Sequence, residues 1–168
     1  MDLQEALAPH WVSSALDGLQ IKAQYLSPVV VCRAHMGLAV TPDGTSVVTI
    51  VLSSNNMKGT LSKSIAAWTN IDYFDINSNM LGGEFTADAS KWTKITWLNI
   101  RGNQIKGPLP AMPFGPSPKG CYVLDAKPTN SFTCPWPKNA VAHCMKGTKA
   151  WVPITDADCT KATPTPPT

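Results

Sequence analysis

The chain has 168 residues, 43% apolar and 15% charged, which suits one domain with a buried core and excludes a disordered chain. Its net charge of +3 comes without the stripe of arginines and aromatics that typifies nucleic-acid binding, so no nucleic-acid partner is expected. No apolar run reaches the roughly 20 residues that a membrane-spanning helix needs.

Residues 1–46 are predicted to cap the front of the fold. Apolar residues recur at helical spacing between Leu3 and Leu19, interrupted by Pro9, which predicts one or two short helices. The sequence Thr-Pro-Asp-Gly at 41–44 predicts the turn of a hairpin that leads into the next segment. Cys32 has no cysteine partner in this cap, so it is expected to be the odd thiol of the five cysteines.

Residues 47–110 contain three segments that superimpose without a gap at a period of 24 residues. Each segment fits the pattern L-x-x-L-x-L-x-x-N-x-L-x-G. The apolar positions are filled by Val47, Ile50, Leu52 and Met57, by Ile71, Phe74, Ile76 and Leu81, and by Ile95, Leu98, Ile100 and Ile105. Alternating apolar side chains point inward from a short strand, so stacked coils share one core and form a parallel sheet.

Two further repeated positions are interpreted as structural. The asparagine of the repeat carries a donor and an acceptor, which can satisfy buried backbone groups along the stack. These ladder asparagines are Asn55, Asn79, Asn103 and, in a degenerate fourth coil, Asn130. Trp68 and Trp92 precede the second and third coils by the same three residues and are expected to fill the convex side of the core.

Residues 111–160 are predicted to form that fourth coil and a cysteine-rich cap. The segment from Asn130 to Pro137 aligns with the one from Asn103 to Pro110 at an offset of 27, which places a strand near Cys121 to Leu124. Four cysteines favour disulfides, because this proline-rich segment has few apolar residues to hold it. They are Cys121, Cys134, Cys144 and Cys159, and their pairing stays open. Zinc is the competing interpretation because His143 adjoins Cys144, but no C-x-x-C pair occurs, so no metal is expected.

Residues 161–168 form a Thr/Pro-rich tail or stalk. Its prolines favour an extended polyproline conformation. Threonines between prolines suit O-glycosylation, as in extracellular stalks. The candidates are Thr163, Thr165 and Thr168.

The repeat resembles the plant-type leucine-rich repeat, and the residues from Gly107 to Pro110 match the G-x-L-P ending of that subclass. The repeated tryptophan, the Cys-rich cap and the Thr/Pro tail most resemble the surface-antigen leucine-rich-repeat proteins of kinetoplastid protists. The resemblance implies an α/β solenoid of three coils plus one degenerate coil, with a parallel sheet, a helical N-terminal cap and a disulfide-rich C-terminal cap. It also implies an extracellular or cell-surface location, although the chain shows no signal peptide.

The side chains that alternate with the inward positions are predicted to form the concave face of the sheet. Tyr73 and Trp97 lie one period apart there, flanked by Asp75, Asn99 and Arg101. Aromatic and arginine side chains are the usual anchors of interfaces, and rings beside Asp and Asn also suit sugars. These five residues therefore predict a site for a protein or glycan ligand. The alternative is that the rings only decorate the sheet, which aromatics favour in any case.

Two functions remain open. The first is a non-catalytic module for protein or glycan binding or adhesion. The second is a structural subunit that self-assembles into a surface layer or fibre, with the tail as a glycosylated linker; the concave strip of only about 15 Å favours it somewhat. No nucleophile, nucleotide-binding or zinc-protease motif occurs, so neither enzymatic activity nor a cofactor is expected. A lipid anchor beyond the chain is compatible with either function.

Overall fold

The computed structural model describes residues 37–41, 46–61, 65, 67–85, 87–114, 118–125, 129–147 and 151–161. The described chain winds as a solenoid whose coils contribute strands to two sheets. The predicted N-terminal helices, Cys32 and the three tail threonines lie outside the described residues.

The larger sheet has seven strands, numbered in chain order along the whole molecule. They are β1 (Gly37–Val40), β2 (Val47–Val51), β4 (Tyr73–Asp75), β6 (Trp97–Asn99), β8 (Gly120–Leu124), β10 (Met145–Lys146) and β11 (Val152–Pro153). They lie side by side in that order. In this sheet β2, β4, β6, β8 and β10 run parallel, and β1 and β11 pair antiparallel at the two edges. The parallel stacking predicted from the repeat is therefore present.

A second, four-stranded parallel sheet was not predicted. Its strands are β3 (Lys58–Thr60), β5 (Met80–Glu84), β7 (Gln104–Pro108) and β9 (Ser131–Thr133). They are parallel and neighbour one another in this order. All three residues of β3 are exposed, so the apolar alternation that marks a half-buried strand is missing from its sequence.

Helix is scarce in the described part of the chain. One short α-helix, α1, spans Lys138–His143, and 3₁₀ helices span Ala87–Lys91 and Asp156–Asp158. Within the described ranges, no helix has the length and apolar character needed to cross a membrane.

One apolar core runs through the stacked coils. Ile50, Phe74, Leu98 and Cys121 occupy neighbouring positions on successive strands, and each is at most 1% exposed. The two repeated tryptophans close the core on its other side at 2% and 0% exposure, and the indole Nε1 of Trp92 donates a hydrogen bond to a backbone carbonyl one coil earlier. The tryptophans are therefore core residues.

An asparagine ladder satisfies the backbone at the turn that follows each strand. The side-chain oxygen of Asn103 accepts a hydrogen bond from the backbone N–H of Leu81 at 3.0 Å. Its amide nitrogen donates to the carbonyls of Ile76 and Ile100 at 3.0 and 3.1 Å. The asparagines at this position in the adjacent coils also bond both their own coil and the one before; they are Asn79 and Asn130. In the first coil, Asn55 instead donates to a carbonyl of its own coil.

Two disulfides close the C-terminal end. Cys121 bonds Cys144 with a Cα–Cα distance of 4.4 Å, and Cys134 bonds Cys159 at 5.2 Å. Ile50, Phe74, Leu98 and Cys121 form a row of buried residues, here called the core file. The first disulfide lies at the end of this core file, and its two cysteines, Cys121 and Cys144, are 0% and 1% exposed. Cys144 is thus occupied by a disulfide, and within the described residues no group of three His, Cys, Asp or Glu side chains could hold a metal ion.

The carboxylate of Asp158 pairs with the ammonium of Lys146 inside this cap. The backbone N–H and hydroxyl of Thr155 also donate to it, at 2.8 and 2.9 Å. Burial raises the pKa of Asp158, but the hydrogen bonds from Lys146 and Thr155 outweigh burial and hold the pKa below its ordinary value of 3.8.

We expect Asp158 to make the cap sensitive to acid. Because its pKa is lower in the folded than in the unfolded chain, its stabilisation is complete above the unfolded pKa and is lost as pH falls through the folded pKa. Urea unfolding at neutral pH and at about pH 3 should therefore show a larger loss for the natural chain than for Asp158→Asn. The exposed Asp156 provides the control, and Asp156→Asn should follow the natural chain. Equal acid losses for natural chain and Asp158→Asn would contradict this expectation.

Candidate functional site

The outward side of the seven-stranded sheet, here the concave face, is organised by the 24-residue period. Like positions of successive coils become neighbours across parallel strands. One file contains Thr49, Tyr73, Trp97 and Gly120. The next file, two residues further along each strand, contains Val51, Asp75, Asn99 and Tyr122. Four of the five predicted binding residues lie in these two files, and Arg101 follows two residues after Asn99.

Four aromatic side chains form a continuous row across the concave face. The rings of Tyr73 and Trp97 are stacked, with centroids 5.2 Å apart and planes within 3°. Tyr122 lies 5.0 Å from Trp97, and Trp151 lies 4.4 Å from Tyr122, both at tilted angles. We call Tyr73, Trp97, Tyr122 and Trp151 the aromatic file. Trp151 is its most open member, at 40% exposure.

Gly120 makes room for the centre of the aromatic file. A Cβ at this position would lie 2.8 Å from the Trp97 ring and 2.7 Å from the Tyr122 ring, closer than packed atoms approach. The missing side chain therefore leaves room for the ring of Trp97 beside Gly120. One face of Trp97 is covered by Tyr73, and β8 with Tyr122 covers the other.

Asp75 and Asn99, the polar residues of the second file, are hydrogen-bonded to each other. Asp75 and Asn99 are 7% and 5% exposed. One carboxylate oxygen of Asp75 accepts from the backbone and side-chain nitrogens of Asn77, at 3.1 and 2.6 Å. The other accepts from the amide nitrogen of Asn99 at 3.0 Å. Both oxygens of Asp75 therefore have protein partners, and one of them holds the amide nitrogen of Asn99.

Arg101 joins the aromatic file to the next coil. Its Nη1 lies 3.4 Å from a carboxylate oxygen of Asp125, which balances its charge. Its guanidinium carbon lies 5.1 Å from the ring centroid of Trp151, a cation–π distance. Arg101 and Trp151 therefore fix each other on the face.

Burial raises the pKa of Tyr73, and the charge of Asp75 and the neighbouring Tyr122 act in the same direction. The phenol accordingly stays protonated around neutral pH. Its hydroxyl can therefore serve a ligand as a hydrogen-bond donor.

Sequence reasoning missed two members of the patch. Tyr122 had a usable signal, because alternation from the buried Cys121 places it on the outward face of the expected strand. Trp151 had none, since it precedes β11, an antiparallel strand that follows the last coil and lies outside the 24-residue period.

No family model and no curated protein matches the chain. Among solved structures, it is similar to the leucine-rich-repeat ectodomain of the receptor kinase SOBIR1 from Arabidopsis thaliana, at 15% identity and a TM-score of 0.51 over 79% of this chain and 70% of that one. It is also similar to the leucine-rich-repeat ectodomain of the plant membrane receptor kinase GASSHO1/SCHENGEN3 from Arabidopsis thaliana, which was solved in complex with CASPARIAN STRIP INTEGRITY FACTOR 2. This match has 19% identity and a TM-score of 0.53, over 80% of this chain and 16% of that one. Pollen Receptor Kinase 3 is similar at 16% identity and a TM-score of 0.53, over 82% of this chain and 67% of that one. The predicted leucine-rich-repeat fold is confirmed.

Proposed function

We propose that this chain is an extracellular, non-catalytic binding module that contacts its ligand with the aromatic file of the concave face. The observation that carries the proposal is the convergence of four rings and one arginine on one face of a rigid sheet. Such aromatic and arginine anchors supply most of the energy at protein interfaces. Tyr73, Trp97 and Tyr122 lie on parallel strands, which hold these three rings in place without a cost of ordering loops.

Two features support an extracellular location. The fold is that of receptor ectodomains, and one of the similar ectodomains was solved with a bound partner. The C-terminal end depends on two disulfides, which persist in oxidising compartments. The closer likeness to kinetoplastid surface antigens, with a glycosylated tail, stays a prediction.

A protein ligand fits the patch better than a glycan. Sugar-binding sites stack a pyranose on an open aromatic face, and both faces of Trp97 are already covered by Tyr73 and by Tyr122 with Gly120. The file therefore offers ring edges, the Tyr73 hydroxyl and the outer part of Trp151. Side chains of a protein can pack against such edges.

The proposal is tested by screening the oxidised protein on protein and glycan arrays and measuring each ligand by surface plasmon resonance. Trp97→Ala should weaken binding at least about 30-fold, because it removes the central ring of the file. Lys106→Ala, an exposed change on the other sheet, is the matched control and should leave affinity unchanged. The proposal would be refuted if Trp97→Ala, with an unchanged circular-dichroism spectrum, bound the ligands with the same affinity as the natural chain.

Self-association is the second candidate, and one observation favours it. Val141 and Val152 are 42% and 44% exposed on α1 and β11, at the end of the stack. Apolar surface at a solenoid end is a natural contact between copies. Sedimentation velocity of the same oxidised protein distinguishes the two functions. Assembly of the chain without any ligand would favour self-association into a surface layer or fibre.

A further inference from the structure

The two ends of the aromatic file differ in one respect. At the C-terminal end, the guanidinium carbon of Arg101 lies 5.1 Å from the ring centroid of Trp151, and Nη1 lies 3.4 Å from a carboxylate oxygen of Asp125. A ring, a guanidinium and a carboxylate therefore stand together there. At the N-terminal end, Tyr73 and Asp75 of β4 supply a ring and a carboxylate, and no described residue adds a guanidinium.

One face of the Tyr73 ring points away from the stack. The planes of Tyr73 and Trp97 lie within 3° at a centroid distance of 5.2 Å, close to the spacing of about 4.8 Å between strands. Trp97 therefore covers the face of Tyr73 that turns to β6, and the opposite face turns to β2. The neighbour of Tyr73 on β2 is Thr49, and Ala39 of β1 lies beyond it. Both side chains are too short to cover a tyrosine ring, and all three residues are only half-buried, so a ligand group can reach this outer face.

The carboxylate of Asp75 makes this end of the file negatively charged. Asp75 is 7% exposed, and its oxygens accept only from uncharged N–H groups, those of Asn77 and Asn99. Among the described residues, no lysine, arginine or histidine pairs with it, and strands β1 and β2 carry no charge. Burial raises the pKa of Tyr73 and the charge of Asp75 raises it further, so this charge acts at the ring. A buried carboxylate without a counter-ion attracts a cation.

The shape of the outer face selects among possible ligand groups. An anion is repelled by Asp75, and an uncharged sugar gains nothing from its charge. A guanidinium is planar and weakly hydrated, so it lies flat on an aromatic ring, whereas an ammonium is a compact and strongly hydrated charge. Arg101 and Trp151 already form a contact of this kind at the other end of the file.

We propose that the outer face of Tyr73 binds an arginine side chain of the protein ligand, whose guanidinium lies above Thr49 against the ring and is attracted by the charge of Asp75. This rests on the proposed function and names the group recognised. The attraction acts through space, because Asp75 is buried and its oxygens are already bonded. The ligand's guanidinium completes at this end the arrangement that Arg101 completes at the other.

The test is an NMR titration of the intact, oxidised protein with the N-methylamide of Nα-acetylarginine, read at the ring protons of Tyr73. The chain has three tyrosines, so these signals are identified by their loss in Tyr73→Leu. The citrulline amide is the matched probe, because it has nearly the same shape as arginine but carries no charge. The lysine amide tests the need for a planar cation, and methyl glucoside tests a sugar.

Three variants separate the contributions of space and charge. Thr49→Tyr places a ring where the guanidinium should lie and leaves Tyr73 and Asp75 unchanged. Asp75→Asn removes the buried charge, and Asn99 Oδ1, which has no partner, can turn to accept from the new amide nitrogen. Asp156→Asn removes an exposed charge in the C-terminal cap and is the control for net charge.

We expect the arginine amide to bind at least about fivefold more tightly than the citrulline amide, which is the effect of a cation–π contact. The lysine amide should bind more weakly than the arginine amide. Thr49→Tyr should abolish the shift, and Asp75→Asn should weaken the arginine amide about threefold without affecting the citrulline amide. Asp156→Asn should bind as the natural chain does. Added salt should weaken the arginine amide alone, which measures the charge contribution even if Asp75→Asn does not fold.

The inference would be overturned by the absence of a saturable shift, by equal binding of the arginine and citrulline amides, or by a shift that survives in Thr49→Tyr. Tighter binding of the lysine amide or of methyl glucoside would overturn it as well. These results leave the proposed function standing if array ligands still depend on the Trp97 ring. Conversely, array ligands that ignore Trp97→Ala refute the proposed function whatever the arginine titration gives.

Discussion

Replacing Asn103 by leucine should lower the free energy of unfolding by about 3 kcal/mol or more, one of the largest losses available to a single substitution in this chain. The side chain is 1% exposed and serves backbone groups of two coils. Leucine has a similar volume, so the loss comes from the hydrogen bonds that Asn103 makes. The N–H of Leu81 is left without its acceptor, at about 1–3 kcal/mol. The carbonyls of Ile76 and Ile100 each lose one of two amide donors, at about 1 kcal/mol each, because Asn79 and Asn130 still donate to them.

Asn55→Leu is the matched control for this prediction. Asn55 occupies the same repeat position in the first coil, but it is half-buried and its amide bonds only a carbonyl of its own coil, at 2.8 Å. Asn55→Leu should therefore lower the free energy of unfolding by only about 1 kcal/mol. For both variants this free energy is measured by urea unfolding followed by tryptophan fluorescence. Similar losses at the two positions would mean that the asparagines stabilise single turns rather than the contact between coils.

The repeat could be predicted because each position in it has a physical requirement that recurs every 24 residues. Inward positions must be apolar, and the buried turn must carry an amide, which fixes the choice of residue at Leu98 and Asn103 alike. The second sheet has no such requirement. In β7 the outward residues Gln104 and Lys106 are exposed to solvent. Many residue types are tolerated at such exposed positions, so they give no recurring sequence signal for a strand.

The candidate site divides in the same way. Tyr73 and Trp97 could be placed side by side from the period alone, and the structure stacks their rings within 3°. The hydrogen bonds that Asp75 accepts from Asn77 and Asn99 could not be predicted, because they depend on side-chain rotamers rather than on spacing. Trp151 could not be placed either, since an antiparallel return after the last coil obeys no repeat.

The disulfide pairing was also beyond the sequence, because it depends on how the chain turns after the fourth coil. Cys144 reaches Cys121 since β10 continues the larger sheet next to β8. Cys159 reaches Cys134 since the backbone around Thr160 runs beside β9, with two hydrogen bonds of 2.9 and 2.8 Å. Both contacts arise from the cap, where no residue repeats.

The double variant Cys121→Ala/Cys144→Ala should lose about 4–5 kcal/mol of stability, more than Cys134→Ala/Cys159→Ala. The two bonds span 23 and 25 residues, so constraint of the unfolded chain stabilises both by a similar amount, about 3 kcal/mol. The difference lies in the folded state. Cys121 and Cys144 are fully buried at the end of the core file, and removing their sulfurs leaves a cavity that costs roughly 1–2 kcal/mol more.

Urea unfolding of the two double variants isolates this packing contribution, because the chain-entropy contribution nearly cancels between them. Equal losses would show that the buried bond acts through the unfolded chain alone. The comparison also bears on the binding face. Cys144 holds β10 against β8, and β10 carries β11, which Trp151 directly precedes. Loss of the Cys121–Cys144 bond should therefore release Trp151 from Tyr122 and Arg101 and reduce the near-ultraviolet circular dichroism of the aromatic file, whereas loss of the Cys134–Cys159 bond should preserve it.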